Sequence, residues 1–136
     1  MKNENCIFCK IAAGDIPSVT LYEDDLFRVI MDISPASKGH ALILPKDHYA
    51  DLYELDDEVA AKVLVLAKKM VTKLKDIFEC DGYNILQNNG AVAGQTVFHF
   101  HMHLIPRYEN DDVNISWKAG TLPEELKELV LSKLSE

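Results

Sequence analysis

The sequence predicts an α+β domain: a five-stranded antiparallel sheet with one long helix and short terminal helices. Three observations lead there. Five short apolar-rich runs are joined largely by turn-forming residues, which favours an antiparallel sheet. A single stretch, residues 56–79, repeats apolar side chains at intervals of three and four, the stripe of an amphipathic helix. Finally, 136 residues with 48% hydrophobic content suffice for one ordinary core and leave no room for a second domain.

Taken in order, a short helix is expected over residues 7–13, stopped by Gly14 and kept from resuming by Pro17. Strands over 19–23 and 26–31 flank the acidic turn Asp24-Asp25 and make a hairpin. The run Ser34-Pro35-Ala36-Ser37-Lys38-Gly39 is turn chemistry, and a third strand over 40–44 closes at Pro45. In the long helix Val59, Val63, Leu66, Met70, Leu74 and Ile77 form the apolar stripe, so Met70 is read as core. Residues 83–87 and 98–105 supply two more strands, separated by the segment 88–95. Thr121-Leu122-Pro123-Glu124 resembles a capping box opening a helix through Leu134. The domain core is placed at 6–107, with a loop and helix over 108–136.

The formal charge of −8 argues against a polymeric nucleic-acid partner or an anionic membrane surface, both bound chiefly through basic patches. A small anion is still accessible to backbone amides. Residues 1–5 are polar, with no apolar stretch of the signal-peptide kind behind them. No run approaches the ~18 apolar residues of a membrane span, so a cytoplasmic location is expected. Three cysteines, Cys6, Cys9 and Cys80, favour thiol or metal chemistry over a disulfide framework, with Cys80 a reduced thiol. The acidic cluster Glu109-Asn110-Asp111-Asp112 reads as a solvated loop.

The most informative segment is Phe98-His99-Phe100-His101-Met102-His103-Leu104-Ile105. In a strand successive side chains point to opposite faces, so Phe98, Phe100, Met102 and Leu104 are expected in the core and three imidazoles on the other face. Packing alone requires no such row, whereas imidazole suits nucleophilic attack, proton shuttling and metal ligation near neutral pH. His101, flanked by two imidazoles, is the natural nucleophile. Its neighbours disfavour charging all three rings, so at least one stays neutral near pH 7. The triad as a metal site is the rival reading, but its outer residues lie about 13 Å apart along a strand, which strains joint binding of one ion.

The run His99-Phe100-His101-Met102-His103-Leu104-Ile105 resembles the His-x-His-x-His pattern of the histidine triad family of nucleotide hydrolases and transferases. Asp32-Ile33-Ser34-Pro35, then residues 39–48, then Asn88 and Gly94-Gln95-Thr96, look like family landmarks in family order, and the nearest resemblance is to small bacterial Hint-like members. The resemblance implies a five-stranded sheet doubled across a homodimer, and attack by the middle histidine on the α-phosphorus of a purine mononucleotide or its conjugate. His40 would orient the relay and His103 would hydrogen-bond the phosphate or the transferring proton. Asn88, Gln95 and Thr96 become donors to the phosphate or the leaving group. Thr96 stands where most Hint-like relatives have serine, keeping the hydroxyl but adding a methyl that stiffens χ1. Asp32 would accept the ribose hydroxyls, with a turn cap as the plain alternative. Ile7, Phe8, Ile11 and Ile33 match positions that sandwich the base, although apolar residues there would be core in any fold.

Cys6-Ile7-Phe8-Cys9 is a Cys-x-x-Cys, a spacing common in tetrahedral zinc sites. Relatives with this pair imply His48 and His99 as the remaining ligands, and a structural zinc that pins the first helix to the sheet. The expected activity is hydrolysis of nucleoside phosphoramidates through a nucleotidyl-His101 intermediate. The alternatives are a Fhit-like dinucleoside polyphosphate hydrolase and a non-catalytic nucleotide- or zinc-binding module.

Overall fold

The computed structural model describes residues 2–136. Helix α1 spans Ile7–Ala12, followed by strands β1 (Thr20–Glu23), β2 (Phe27–Met31) and β3 (Ala41–Pro45). Next come helix α2 (Asp57–Phe78), strand β4 (Gly82–Leu86), strand β5 (Met102–Arg107) and helix α3 (Glu124–Leu134). The strands form one sheet in the order β1-β2-β3-β5-β4, every neighbour antiparallel. Asp24 makes the β1–β2 turn by accepting the backbone N–H groups of Leu26 and Phe27, both at 2.8 Å.

Alternation along the strands splits the side chains between two unlike layers. On one face Val29, Ile43, Phe100, Met102 and Leu104 meet Val59, Val63, Leu66, Ala67, Met70 and Leu74 of α2 in the main core. On the other, Ile30, Leu42 and Leu44 meet Ala12, with Phe8 and Ile11 of α1 packed beside them. In the register Leu42 and Leu86 lie opposite His103, which puts the imidazoles on the α1 face. No helix among the described residues is long and apolar enough to cross a membrane.

Four expectations change. Strand β5 begins at Met102, not at 98, because the backbone just before it leaves the ladder: the Phe100 N–H donates to the Tyr49 carbonyl at 2.6 Å. Phe98 is consequently 51% exposed rather than core. The capping box does not form: the residue before α3 is Pro123, and no side chain caps the helix. The acidic run is not wholly solvated either, since Asp111 accepts two bonds from the Arg107 guanidinium, at 2.8 and 3.0 Å.

Every residue from 114 to 136 is exposed, Trp117 at 83% included. Ile33, at 93%, and Ile7, at 51%, are likewise not core. Helix α2 ends one residue before the expected 79, because Glu79 takes a left-handed conformation (φ 52°) and closes the helix.

Candidate active site

The turn before β3 places His40. Gly39 has φ +94°, and a Cβ built there would lie 2.6 Å from the Phe78 ring, so only glycine lets the turn pack on the end of α2. His40 then sits buried, accepting the Ala36 N–H on Nδ1 at 2.9 Å. An acceptor Nδ1 leaves the proton on Nε2 in the neutral ring, and that Nε2 lies 2.9 Å from His103 Nδ1. His40 is thus the donor, and the proton of His103 is on its own Nε2. Asp32 stands beside this pair, Oδ2 at 3.6 Å from His40 Nε2, while its Oδ1 accepts the Ser34 N–H at 2.8 Å. The turn-capping role of Asp32 is therefore realised by one oxygen.

The same logic orders His101. Its Nδ1 is 2.7 Å from the His99 carbonyl, and a carbonyl only accepts, so the proton is on Nδ1 and Nε2 carries a free electron pair. The ring is held edge-on between Phe8 and His103, each centroid 4.9 Å away. Burial lowers the pKa of all four rings. His103 is pushed down to about 4, first by burial and then by the His101 and His40 imidazoles. His99 is also pushed to about 4 by burial, against a bond to Pro45 that favours charge. His40 and His101 lie below the ordinary imidazole value, burial outweighing the opposing pull of Asp32.

His99 does not share the triad's outlook. Its Nε2 lies 2.8 Å from the Pro45 carbonyl, which places the proton there and turns an unprotonated Nδ1 toward the sulfurs of Cys6 and Cys9, both at 3.4 Å. His48 Nδ1 is 3.3 Å from Cys9 Sγ. The donor atoms of Cys6, Cys9, His48 and His99 all lie within 4.8 Å of one another. A tetrahedron with zinc–ligand bonds of about 2.3 Å to sulfur and 2.0–2.1 Å to nitrogen has S···N edges of about 3.5 Å, so the quartet fits a tetrahedral ion. Backbone N–H groups of Asn3 and Cys9 point at the sulfurs of Cys9 and Cys6, both at 3.4 Å, the donors a thiolate needs. Without an ion, burial pushes the Cys9 thiol pKa up.

A second cluster, Asp32, His40 and His103, also converges within 4.8 Å. It suits a proton relay better than a cation: His40 Nε2 binds a metal only by losing its proton, and the Ala36 N–H occupies the nitrogen to which that proton would move. The triad as one metal site is excluded by direction, since its three rings face the cysteines, a carbonyl and His40 respectively.

The loop before β5 turns at Gly90 (φ +96°) and Gly94 (φ +99°). Gln95, only 3% exposed, spends its whole amide inside it: Oε1 accepts the Gly90 N–H at 2.8 Å, and Nε2 donates to the carbonyls of Ala50 and Val97 at 2.7 and 3.1 Å. It shapes the loop and has no donor to spare for a ligand. Asn88 is half-buried and Thr96 exposed. Neither side chain bonds to protein among the described residues, and Asn88 lies close beside Gly94. On α1, Phe8 and Ile11 pack together on the sheet, whereas Ile7 and Ile33 face outward. Sequence reasoning missed the Ala36 N–H and the Pro45 and His99 carbonyls, because backbone groups leave no mark on residue identity. Gly39 was visible only as part of a turn.

A HIT domain family model matches residues 13–110. The chain belongs to the HIT domain family. It is 46% identical over 127 residues to adenosine 5′-monophosphoramidase hnt1 of Schizosaccharomyces pombe, covering 92% of each chain. Among solved structures, a HIT family member from Bacillus subtilis superposes with a TM-score of 0.89 at 46% identity, covering 97% of this chain and 96% of that one. A zinc-bound histidine triad family protein from Mycobacterium smegmatis superposes with a TM-score of 0.75 at 36% identity, covering 96% and 94%. As in other HIT proteins that match over nearly their whole length, the five-stranded sheet with its helices is the family fold.

Proposed function

We propose that this HIT protein is a hydrolase of purine nucleoside 5′-phosphoramidates that works through a nucleotidyl-His101 intermediate. The observation that carries this reading is the bond from His101 Nδ1–H to the His99 carbonyl, which leaves Nε2 as a buried, neutral nucleophile. The Nε2 electron pair forms a bond to the α-phosphorus while the bond from phosphorus to the amine breaks, its pair taking up the proton of His103 Nε2, which the attacking water later restores. Water then attacks the phosphorus, the bond to Nε2 breaks, and the imidazole regains its pair. One water is consumed, its protons ending on the amine and on the nucleoside monophosphate.

His103 donates its Nε2–H to the phosphoryl group and is kept in that tautomer by His40. Asn88 and Thr96 offer unspent donors to the same phosphate. Asp32 Oδ2 receives the ribose hydroxyls, and Phe8, Ile11 and Ile33 hold the base. The name of the S. pombe relative supports the substrate class, and the zinc-bound M. smegmatis relative supports zinc as the ion held by Cys6, Cys9, His48 and His99. Zinc there would be structural, tying α1 to the sheet beneath the nucleophile.

A homodimer is the proposed assembly. The outer edge of β4 is unpaired, Ile85 on it is 40% exposed, and every residue of the arm 114–136 is exposed. An isolated helix as short as α3 is marginal in water, so a second copy gives its leucines a place to pack. Incubation with radiolabelled adenosine 5′-phosphoramidate and rapid acid-free quenching tests the chemistry: label should stay on wild type and be absent from His101→Ala. Full turnover with no label on either protein at any quench time would mean direct attack by water.

A further inference from the structure

The turn between β2 and β3 carries the donor on which the histidine relay depends. His40 keeps its proton on Nε2 because the Ala36 N–H occupies Nδ1 at 2.9 Å, yet residues 33–36 are exposed and belong to neither apolar layer. Two side chains tie the next two residues of the turn to β5 and its continuation. The Ser37 hydroxyl donates to the Pro106 carbonyl at 2.5 Å, and the Tyr108 hydroxyl donates to the Lys38 carbonyl at 2.6 Å. Lys38 Nζ returns over the Tyr108 ring, 5.3 Å from its centroid.

Strand geometry gives this turn its anchor. Strand β3 pairs with β5 only from Met102 to Leu104, so residues 105–107 have no strand beside them on that edge. The Arg107 carbonyl points to the opposite edge, where it accepts the Asp81 N–H at 2.8 Å. Successive carbonyls of a strand alternate between its edges, so that of Pro106 faces the turn. Tyr108 is fixed by Asp111, which accepts its N–H at 2.8 Å while holding the Arg107 guanidinium. The ion pair thereby steadies a ring that closes on the turn. His103 lies on the same strand, three residues before Pro106, so both ends of the relay share one frame.

We propose that Ser37 and Tyr108 are positioning residues of the relay: by holding the main chain of the turn on β5, they keep the Ala36 amide on His40 and hence the proton of His103 on Nε2. Its use in catalysis rests on the phosphoramidase reading above. Without the Ala36 donor the neutral His40 ring is free to carry its proton on Nδ1, which leaves Nε2 an acceptor facing the acceptor Nδ1 of His103. To keep their bond, His103 would carry its own proton on Nδ1, and the nitrogen assigned to the phosphoryl group would be bare. Asp32 opposes the change only from 3.6 Å, beyond good hydrogen-bond distance.

The test reads the tautomers directly, by long-range proton–nitrogen NMR on full-length, zinc-loaded protein at pH 7 without substrate, with folding checked by thermal midpoint. Wild type should show the proton on Nε2 of both His40 and His103. In Ser37→Ala and Tyr108→Phe, and most of all in the double variant, both rings should become mixtures. His99 and His101, whose protons are set by carbonyls elsewhere, should not change, and Ser37→Thr, which keeps the hydroxyl, should keep the wild-type pattern. For adenosine 5′-phosphoramidate, kcat should fall about tenfold in the double variant, the scale of one or two lost hydrogen bonds, with KM within about twofold. Wild-type tautomers in the double variant, an equal change at all four rings, or shifted tautomers with kcat unchanged would each overturn the proposal. A wild type that hydrolyses nothing overturns the phosphoramidase reading instead, and the tautomers of the free protein still judge the hold on the turn.

Discussion

The two faces of the sheet divide the labour of the protein. Beneath α2 lies a continuous apolar layer in which Val29, Ile43 and Leu104 are fully buried. Beneath α1 the apolar layer is thin, and its place is taken by His40, His99 and His101, all buried and all lowered in pKa by that burial. Burying an imidazole costs free energy unless its nitrogens are bonded, and here a main-chain group bonds one nitrogen of each ring. The contrast teaches where stability and chemistry reside: the α2 face can lose packing without losing its reaction, and the α1 face can lose its reaction without losing the fold.

The sharpest way to break this division is His101→Ala. Hydrolysis should fall by at least about a thousandfold, the usual scale for loss of a nucleophile, with far-UV dichroism and zinc content as in wild type. A variant that unfolds instead would show that the α1 face carries stability too. The converse is Leu74→Ala on the α2 side, where the side chain is 6% exposed. It should cost about 2–5 kcal/mol, read from urea unfolding, with kcat/KM per folded molecule within about twofold of wild type.

Cys6→Ser probes the junction of the two layers. Zinc, measured by mass spectrometry on purified protein, should drop from one per chain toward zero. Activity should fall about 10–100-fold, the range for lost support of a metal site. Undiminished zinc would move the ion elsewhere.

The mildest expected effect is on pH. His103 takes up a proton near pH 4 when folded, against an ordinary value of 6.5. Between those values the unfolded chain binds a proton that the folded protein refuses. Stability from this group is therefore full above the window and lost as pH falls through it. The urea midpoint should be lower at pH 5 than at pH 7, and His103→Gln should flatten the difference. An identical slope in wild type and variant would assign the effect to other groups.

Much of this was readable from residue order, and the exceptions share a cause. The helix stripe from Val59 to Leu74 and the alternation from Phe100 to Leu104 follow from periodicity, so strand, helix and inward face were all accessible. The quartet Cys6, Cys9, His48 and His99 was accessible through family resemblance alone, because nothing local joins His48 to the two cysteines 42 and 39 positions earlier. What escaped depends on tertiary hydrogen bonds: the early peel of β5 toward Tyr49, the exposure of Phe98 that follows from it, the internal use of Gln95, and the clasp of Asp111 by Arg107. Helix α3 itself was readable; that its leucines lie exposed was not, since apolar residues in an arm and in a core look alike until coordinates separate them.

Proton placement in this site is written by main-chain atoms: the Ala36 amide and the Pro45 and His99 carbonyls. No side-chain replacement at those three positions deletes the atom concerned, apart from proline at 36. Drift in residue identity around His101 can therefore be extensive while His40, His99 and His101 keep their assigned nitrogens, with His103 following His40, and a designer wishing to reverse the tautomers would have to reroute the main chain itself.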